Sequence, residues 1–232
     1  MFKKMNALLW LRVQVLMSNS TLLATVLLPF GLAILYNQFL NKDGIMSSFI
    51  LFTSLSMVLS MASGYIVSIM MAEDKEKHNL KSLMLSGVTA LDYTVSMMIL
   101  PLLMTVLGMI ILPLYLQVDL AENILAYIVF TLFAGICVIL LNLLVGAASD
   151  TQSKAQVYSL FPIMAISFLP MIAVQNETAQ KILEYSFIGP LANLFLKKEQ
   201  GLAFNQVALL GVWTLVLAGL CLLVLKRSYQ QS

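Results

Sequence analysis

Long apolar runs separated by short polar breaks dominate this chain. A lipid hydrocarbon core about 30 Å thick is crossed by a helix of about 20 residues, each rising about 1.5 Å. Six runs are long enough: 21–39, 45–72, 93–116, 123–148, 155–174 and 205–225. The pattern therefore predicts an all-α integral membrane protein with six transmembrane helices. The second and fourth runs exceed a minimal span and are expected to tilt or to project beyond the bilayer. Ahead of the first run, in 1–20, Lys4, Ala7, Gln14 and Ser18 share one helical stripe with Lys3 beside it. Met5, Leu8, Leu9, Trp10, Val13 and Leu16 cover the rest, the pattern of a helix lying in the membrane interface. Arg12 falls inside the apolar arc, from which its long stem is expected to snorkel to the headgroups. The competing reading is a plain extension of the first span. Lys3 and Lys4 resemble the start of a signal peptide, but no small-residue cleavage signal stands out after the long apolar stretch. The segment is read as retained.

Two connections stand out by length. The one at 73–92 opens with Glu73, Asp74, Lys75, Glu76 and Lys77, continues apolar at helical spacing through Leu80, Leu83 and Met84, and stops at Gly87. This predicts a charged loop leading into a short amphipathic helix closed by a glycine cap. Thr89, followed three residues later by Asp92, then has the form of a helix start. The connection at 175–204 carries two short helices, 178–185 and 191–196, broken at Gly189-Pro190. Asn176-Glu177-Thr178 within it matches a glycosylation acceptor and is read as coincidence.

Composition narrows the class. Of 232 residues, 60% are hydrophobic and only 10% charged, and the mean hydropathy is +0.93. Soluble domains are roughly 45–50% apolar and about 25% charged, so no soluble fold can bury this much apolar surface. No linker-like or low-complexity block divides the chain, and residues 1–232 are read as one transmembrane domain. A net charge of +2 gives no reason to expect a nucleic-acid partner. The placement of the cations carries more information, because Lys and Arg in short loops favour the cytoplasmic side. With the N-terminus inside, nine face the cytoplasm (Lys3, Lys4, Arg12, Lys75, Lys77, Lys81, Lys154, Lys226 and Arg227) and four face out (Lys42, Lys181, Lys197 and Lys198). This bias predicts both termini in the cytoplasm; the chain is expected in the plasma membrane of a bacterial cell. Cys137 and Cys221 lie in apolar runs with neither metal-site nor disulfide spacing, and are read as buried hydrophobes.

The polar content of the predicted spans decides between function classes. None of the six runs contains Asp, Glu, Lys, Arg or His. Ion-coupled carriers usually keep an ionisable residue at membrane depth, and intramembrane hydrolases need paired carboxylates, a metal cluster or an activated nucleophile, so both are disfavoured. His78, the single histidine, lies in the 73–92 connection and is read as solvated. No phosphate-binding loop of the form G-x-x-x-x-G-K-[ST] occurs, so any ATP-driven work must draw on a partner. Ser56, Ser60, Gly64 and Ser68 recur every four residues in the second span. They place small groups on one face, read as helix packing or a dimer contact, with a serine-lined pathway as the alternative. Pro101, Pro113, Pro162 and Pro170 mark kinks or early ends in the third and fifth spans, and could act as pivots. Asn142 is the most polar group at depth and is expected to bond a neighbouring helix. The 15 methionines suit adaptable packing or an apolar cavity.

The stretch Glu73-Asp74-Lys75-Glu76-Lys77-His78-Asn79-Leu80-Lys81-Ser82-Leu83-Met84-Leu85-Ser86-Gly87-Val88-Thr89-Ala90-Leu91-Asp92-Tyr93 resembles the segment after the second span of ABC-2 type permeases. In that family an acidic-basic run leads into a Gly-Thr-Leu helix, a Ser-Pro, then a hydroxyl residue followed by an acidic and an aromatic one. Glu76, Leu80, Leu83, Ser86, Thr89, Asp92 and Tyr93 match in kind, while His78-Asn79 stands for Gly-Thr and Gly87 for the proline. The interfacial helix, six spans, cytoplasmic termini and a long extracellular re-entrant-like segment with Ser186-Phe187-Ile188-Gly189-Pro190 before the last span extend the likeness over the chain. The resemblance implies a permease subunit with no cofactor of its own, paired with a second permease subunit as a homo- or heterodimer. Two copies of a cytoplasmic ABC ATPase would hold ATP and magnesium. It implies ATPase contacts at Glu76, Leu80, Leu83, Met84 and Leu85, and on the N-terminal helix at Lys4 and Trp10. The exported substrate is expected to be apolar or amphipathic: a peptide, a lipid-linked molecule or a drug. A non-transporting membrane scaffold or immunity protein, and an ion-coupled carrier, are the alternatives.

Overall fold

The structure, a computed structural model, describes residues 2–197 and 201–231. Every regular element among them is a helix. The N-terminal helix α1 (Phe2–Ser18) leads into α2 (Ser20–Leu40), and these are followed by the long helix α3 (Ser47–Glu76) and the short α4 (Asn79–Leu85). Then come α5 (Ala90–Leu116), α6 (Ile124–Ala148), α7 (Gln152–Ala173), α8 (Glu177–Tyr185), α9 (Gly189–Ala192) and α10 (Phe204–Gln231). Helices α2, α3, α5, α6, α7 and α10 are long and apolar enough to cross a membrane. In hydrocarbon every backbone group must find its partner within the chain, which a helix achieves without help from neighbours.

The exposed helix ends are satisfied locally. Asn19 parts α1 from α2 and accepts from the Thr21 and Leu22 amides. Thr89 and Asp92 form a reciprocal capping box at the start of α5. Gly87, at φ +80°, closes α4 in a left-handed turn in which the Val88 amide reaches back to the Leu83 carbonyl. Thr151 and Asn176 cap α7 and α8 in the same side-chain fashion.

Helix α3 is the hub. Within its most apolar window 94% of the residues are buried, against 17% for α10 and 22% for α2. Apolar side chains gain little by leaving lipid for one another, so close approach of small residues and hydroxyl pairing must bring the neighbours in. Glycine supplies the approach. A Cβ on Gly64 would overlap the Asn142 carboxamide of α6, and one on Gly146 would stand 3.0 Å from the Ser68 carbonyl. Hydroxyls supply the rest: Ser60 with Ser167 at 2.8 Å and Ser68 with Ser159 at 2.6 Å bind α7, and Ser63 with Thr105 at 2.9 Å binds α5. These pairs give the register: α3 runs parallel to α6 and antiparallel to α5 and α7.

The structure corrects several expectations. The second span ends at Glu76 rather than residue 72, so the charged run is its last turn and not a loop. Its middle, Val58–Tyr65, is a π-helix, whose wider turn changes the angular spacing of residues four apart. Ser60 and Ser68 therefore face α7 while Gly64 faces α6, and Ser56 is buried with no hydrogen-bond partner for its hydroxyl. Asn142 donates to the Val138 carbonyl of its own helix instead of a neighbour, because Gly64 presents no side chain to bond. Pro162 and Pro170 lie inside α7, and Pro101 and Pro113 inside α5, and neither helix ends at them. In the connection before α10, Pro190 starts a helix that continues as a π-turn through Asn193–Lys197. Phe195 of this segment stacks on Phe52 of α3 and meets Tyr127 of α6 edge-on, so the segment packs into the bundle. Lys198, assigned to this connection, lies outside the described residues.

Gly146→Ala is expected to lower the thermal midpoint of the purified protein. The gain in helix propensity, about 1 kcal/mol, is outweighed by overpacking against backbone that costs about 1–3 kcal/mol. Gly31→Ala, where an added Cβ meets nothing within 4 Å, should hold or raise the midpoint. Equal shifts in a detergent unfolding assay would refute the close-approach account.

Candidate functional site

The last turn of α3 gathers the neighbouring helices of one end of the bundle. Successive residues on an α-helix point about 100° apart, so three in a row reach three directions. Asp74 Oδ2 accepts from Arg12 Nη1 of α1 at 2.6 Å and from the Tyr93 hydroxyl of α5 at 2.9 Å. Lys75 Nζ donates to the Ala147 carbonyl of α6 at 2.7 Å, occupying a C-terminal carbonyl that has no partner in its own helix. Glu76 accepts the Gln152 amide of α7 at 2.7 Å, an anion at a helix N-terminus. One turn of α3 thus forms a collar joined to α1, α5, α6 and α7.

The Arg12–Asp74 pair is the buried part of this collar, with side-chain exposures of 1% and 5%. Arg12 also lies over the Tyr93 ring, 5.2 Å from its centroid. The side chain does not snorkel. On α1 the residues Leu8, Arg12 and Leu16 repeat every four and are buried, while Trp10, Val13 and Met17 are exposed. Arg12 therefore points inward with the apolar stripe that contains it. Its Nε and Nη2 have no hydrogen-bond partner, so Asp74 and the Tyr93 face carry the compensation for its burial. At the rim, Glu73 and Lys77 pair along the helix and this bond raises the Lys77 pKa. Asp150, bonded by Lys154 at 2.9 Å, is held below the usual carboxylate range.

The short helix α4 hangs directly from the collar, turned away by His78 in a left-handed conformation at φ +54°. Of the partner contacts expected from sequence, Leu85 is 83% exposed and Trp10 64% exposed. Leu83 is half-buried and packs on the core, and Glu76 is engaged with Gln152. The side chains of Lys4, Leu80 and Met84 lie outside those described. Sequence reasoning missed Asp74, Lys75, Tyr93 and the role of Arg12. A signal was present, since a cation inside an apolar arc requires a buried counter-charge somewhere in the chain. Among the described residues no group of three His, Cys, Asp or Glu could hold a metal. Cys137 and Cys221 are buried and free, their sulfurs next to Thr214 Oγ1 and the Leu140 carbonyl.

Removing one member of the buried pair strands the other, at a cost of about 3–5 kcal/mol. Arg12→Leu and Asp74→Leu should each destabilise strongly, the double variant should lose less than their sum, and Tyr93→Phe should cost about 1.5–3 kcal/mol. Denaturant unfolding of the four variants in detergent checks this, and strict additivity would exclude a direct coupling.

With this geometry in place, comparison with known proteins adds the family. No curated protein and no solved structure matches the chain. A family model described as ABC-2 family transporter protein matches residues 7–225. That match takes in most of α1, the collar, α4 and all but the end of α10. The chain belongs to the ABC-2 family of transporter proteins and is a multi-pass membrane permease subunit.

Proposed function

We propose that this permease exports an apolar or amphipathic substrate, driven by ATP that a separate cytoplasmic ABC subunit hydrolyses. The collar carries the reading. It fastens α4, whose Leu85 projects outward, to a helix that touches α1, α5, α6 and α7. A push on α4 is thereby delivered to most of the bundle at once. An exposed apolar side chain within a charged surround suits a groove on a soluble partner. On this reading the collar end faces the cytoplasm, as the nine-to-four division of cations favours. Two permease subunits pair, each over one ATPase, and nucleotide binding biases the pair between two packings. The spans hold no Asp, Glu, Lys, Arg or His between their ends, which supports an external energy source over ion coupling.

Affinity purification from the native membrane in mild detergent tests the reading. A stoichiometric soluble protein bearing a phosphate-binding loop should co-purify with the wild type. Leu85→Asp should reduce its recovery by about tenfold or more, the consequence of placing a charge in an apolar contact. The thermal midpoint should stay unchanged, because Leu85 is 83% exposed. Recovery of the chain alone, repeated after cross-linking, would transfer the assignment to a scaffold or a carrier.

A further inference from the structure

At the end of the bundle opposite the collar, a cavity of about 430 Å³ lies between the first turn of α3, the end of α7, α8 and the π-turn at Asn193. Its size falls within the roughly 300–1,000 Å³ of small-molecule sites. Met46, Phe49, Val174 and Leu196 form an apolar wall. The mouth carries the exposed apolar side chains Ile45 and Val174. Gln180, Glu184 and Asn193 are the polar lining. Glu184, the one ionisable group among the described residues lining the cavity, is already engaged by a partner within the chain. The carboxamides of Gln180 and Asn193 are not. Both are partly buried, they come from separate elements, α8 and the π-turn, and neither side chain makes a hydrogen bond among the described residues.

An apolar chamber with an apolar mouth favours a ligand that arrives by its hydrocarbon part. Each carboxamide presents N–H donors and a carbonyl acceptor, so two of them in one cavity match a group that both donates and accepts. An amide does so from different atoms, which lets each carboxamide take one of them, whereas a hydroxyl must serve both through a single oxygen. With Glu184 already engaged, a charged head would leave water without a free counter-charge among the described lining residues, a cost that a neutral head escapes. We infer that this cavity binds a neutral amphiphile whose head is an amide, the head between Gln180 and Asn193 and the hydrocarbon against Phe49 and Leu196. Occupancy of the cavity needs no ATPase, so it holds or fails independently of the ATP-driven reading.

Trp213 provides the readout, because its indole donates to the carbonyl of Tyr185, at the end of the helix that carries Gln180, and meets the Phe187 ring edge-on. The chain has two tryptophans, and Trp10→Phe removes the other. In lipid nanodiscs, this single-tryptophan protein is titrated with dodecanamide, methyl dodecanoate, dodecyltrimethylammonium and dodecanoate, compared at equal mole fraction in the bilayer. The amide should give a saturable change in Trp213 emission. It should bind about tenfold tighter than methyl dodecanoate, which accepts but does not donate, the size expected of one added hydrogen bond. Both ionic probes should bind more weakly than the amide. Gln180→Met and Asn193→Leu, which remove the carboxamides at similar volume, should each reduce the amide's advantage and together abolish it, while leaving the methyl dodecanoate response in place. Val174→Phe, which narrows the mouth at an exposed position, should weaken every probe. A linear, unsaturable signal, equal affinity for amide and ester, tighter binding of either ionic probe, or an amide preference that survives the double variant would overturn the assignment. If the double variant alters the folded protein, the four-probe comparison and Val174→Phe decide the matter alone.

Discussion

A charged side chain taken out of water must find a counter-charge close by, and Arg12 satisfies this with Asp74 and the face of Tyr93. The consequence reaches well beyond the pair. Arg12 belongs to α1, Asp74 to the end of the hub and Tyr93 to the first turn of α5, so the three cannot separate without exposing a charge to an apolar surround. Lys75 and Glu76 extend the constraint through helix ends: a cation at the C-terminus of α6 and an anion at the N-terminus of α7. Each of these rim bonds is modest, because both lie closer to solvent. The buried pair fixes the helix end, and the rim bonds set its rotation.

Farther along the hub the physics changes, since no charge is present and hydrophobic side chains are as well placed in lipid as in protein. Specificity there comes from shape and from hydroxyls that would otherwise be unpaired in hydrocarbon. Ser60, Ser63 and Ser68 select different partners, and Gly64 and Gly146 allow the α3 and α6 backbones to approach at two levels. The two halves of the mechanism are complementary. Packing of small residues brings helices together in any rotation that fits, and the charged collar selects one rotation.

Much of this was legible in the chain because it follows from short-range rules. Six apolar runs gave the spans to within a few residues at most ends, and Thr89, Asp92 and Gly87 announced the boundaries of α5 and α4 through their own side chains or lack of one. What was hidden depends on residues distant in sequence. Glu73 to Lys77 looks like a solvated loop because five polar residues in a row usually are one, and only the 62-residue separation between Arg12 and Asp74, closed by the fold, turns it into the end of a helix. The serine stripe was visible at four-residue spacing, but the π-turn that distributes it over two neighbours leaves no period in the sequence. Asn142 was identified as the polar group at depth, and its partner was missed because the facing residue, Gly64, acts through the absence of a side chain.

The hub also relates the two ends of the molecule. Its 30 residues extend about 45 Å at about 1.5 Å each, and the same helix carries Phe49 in its first turn, after the N-cap Met46, at one end and supplies Asp74, Lys75 and Glu76 to the collar at the other. A buried helix that tilts about its middle displaces its ends in opposite directions. In this chain the middle is the π-segment, held by Ser60, Ser63 and Gly64 against three different helices. With its charged end fastened to four helices as well, α3 keeps one register from the collar to the opposite end of the bundle, so a change of packing at either end is carried by the whole helix.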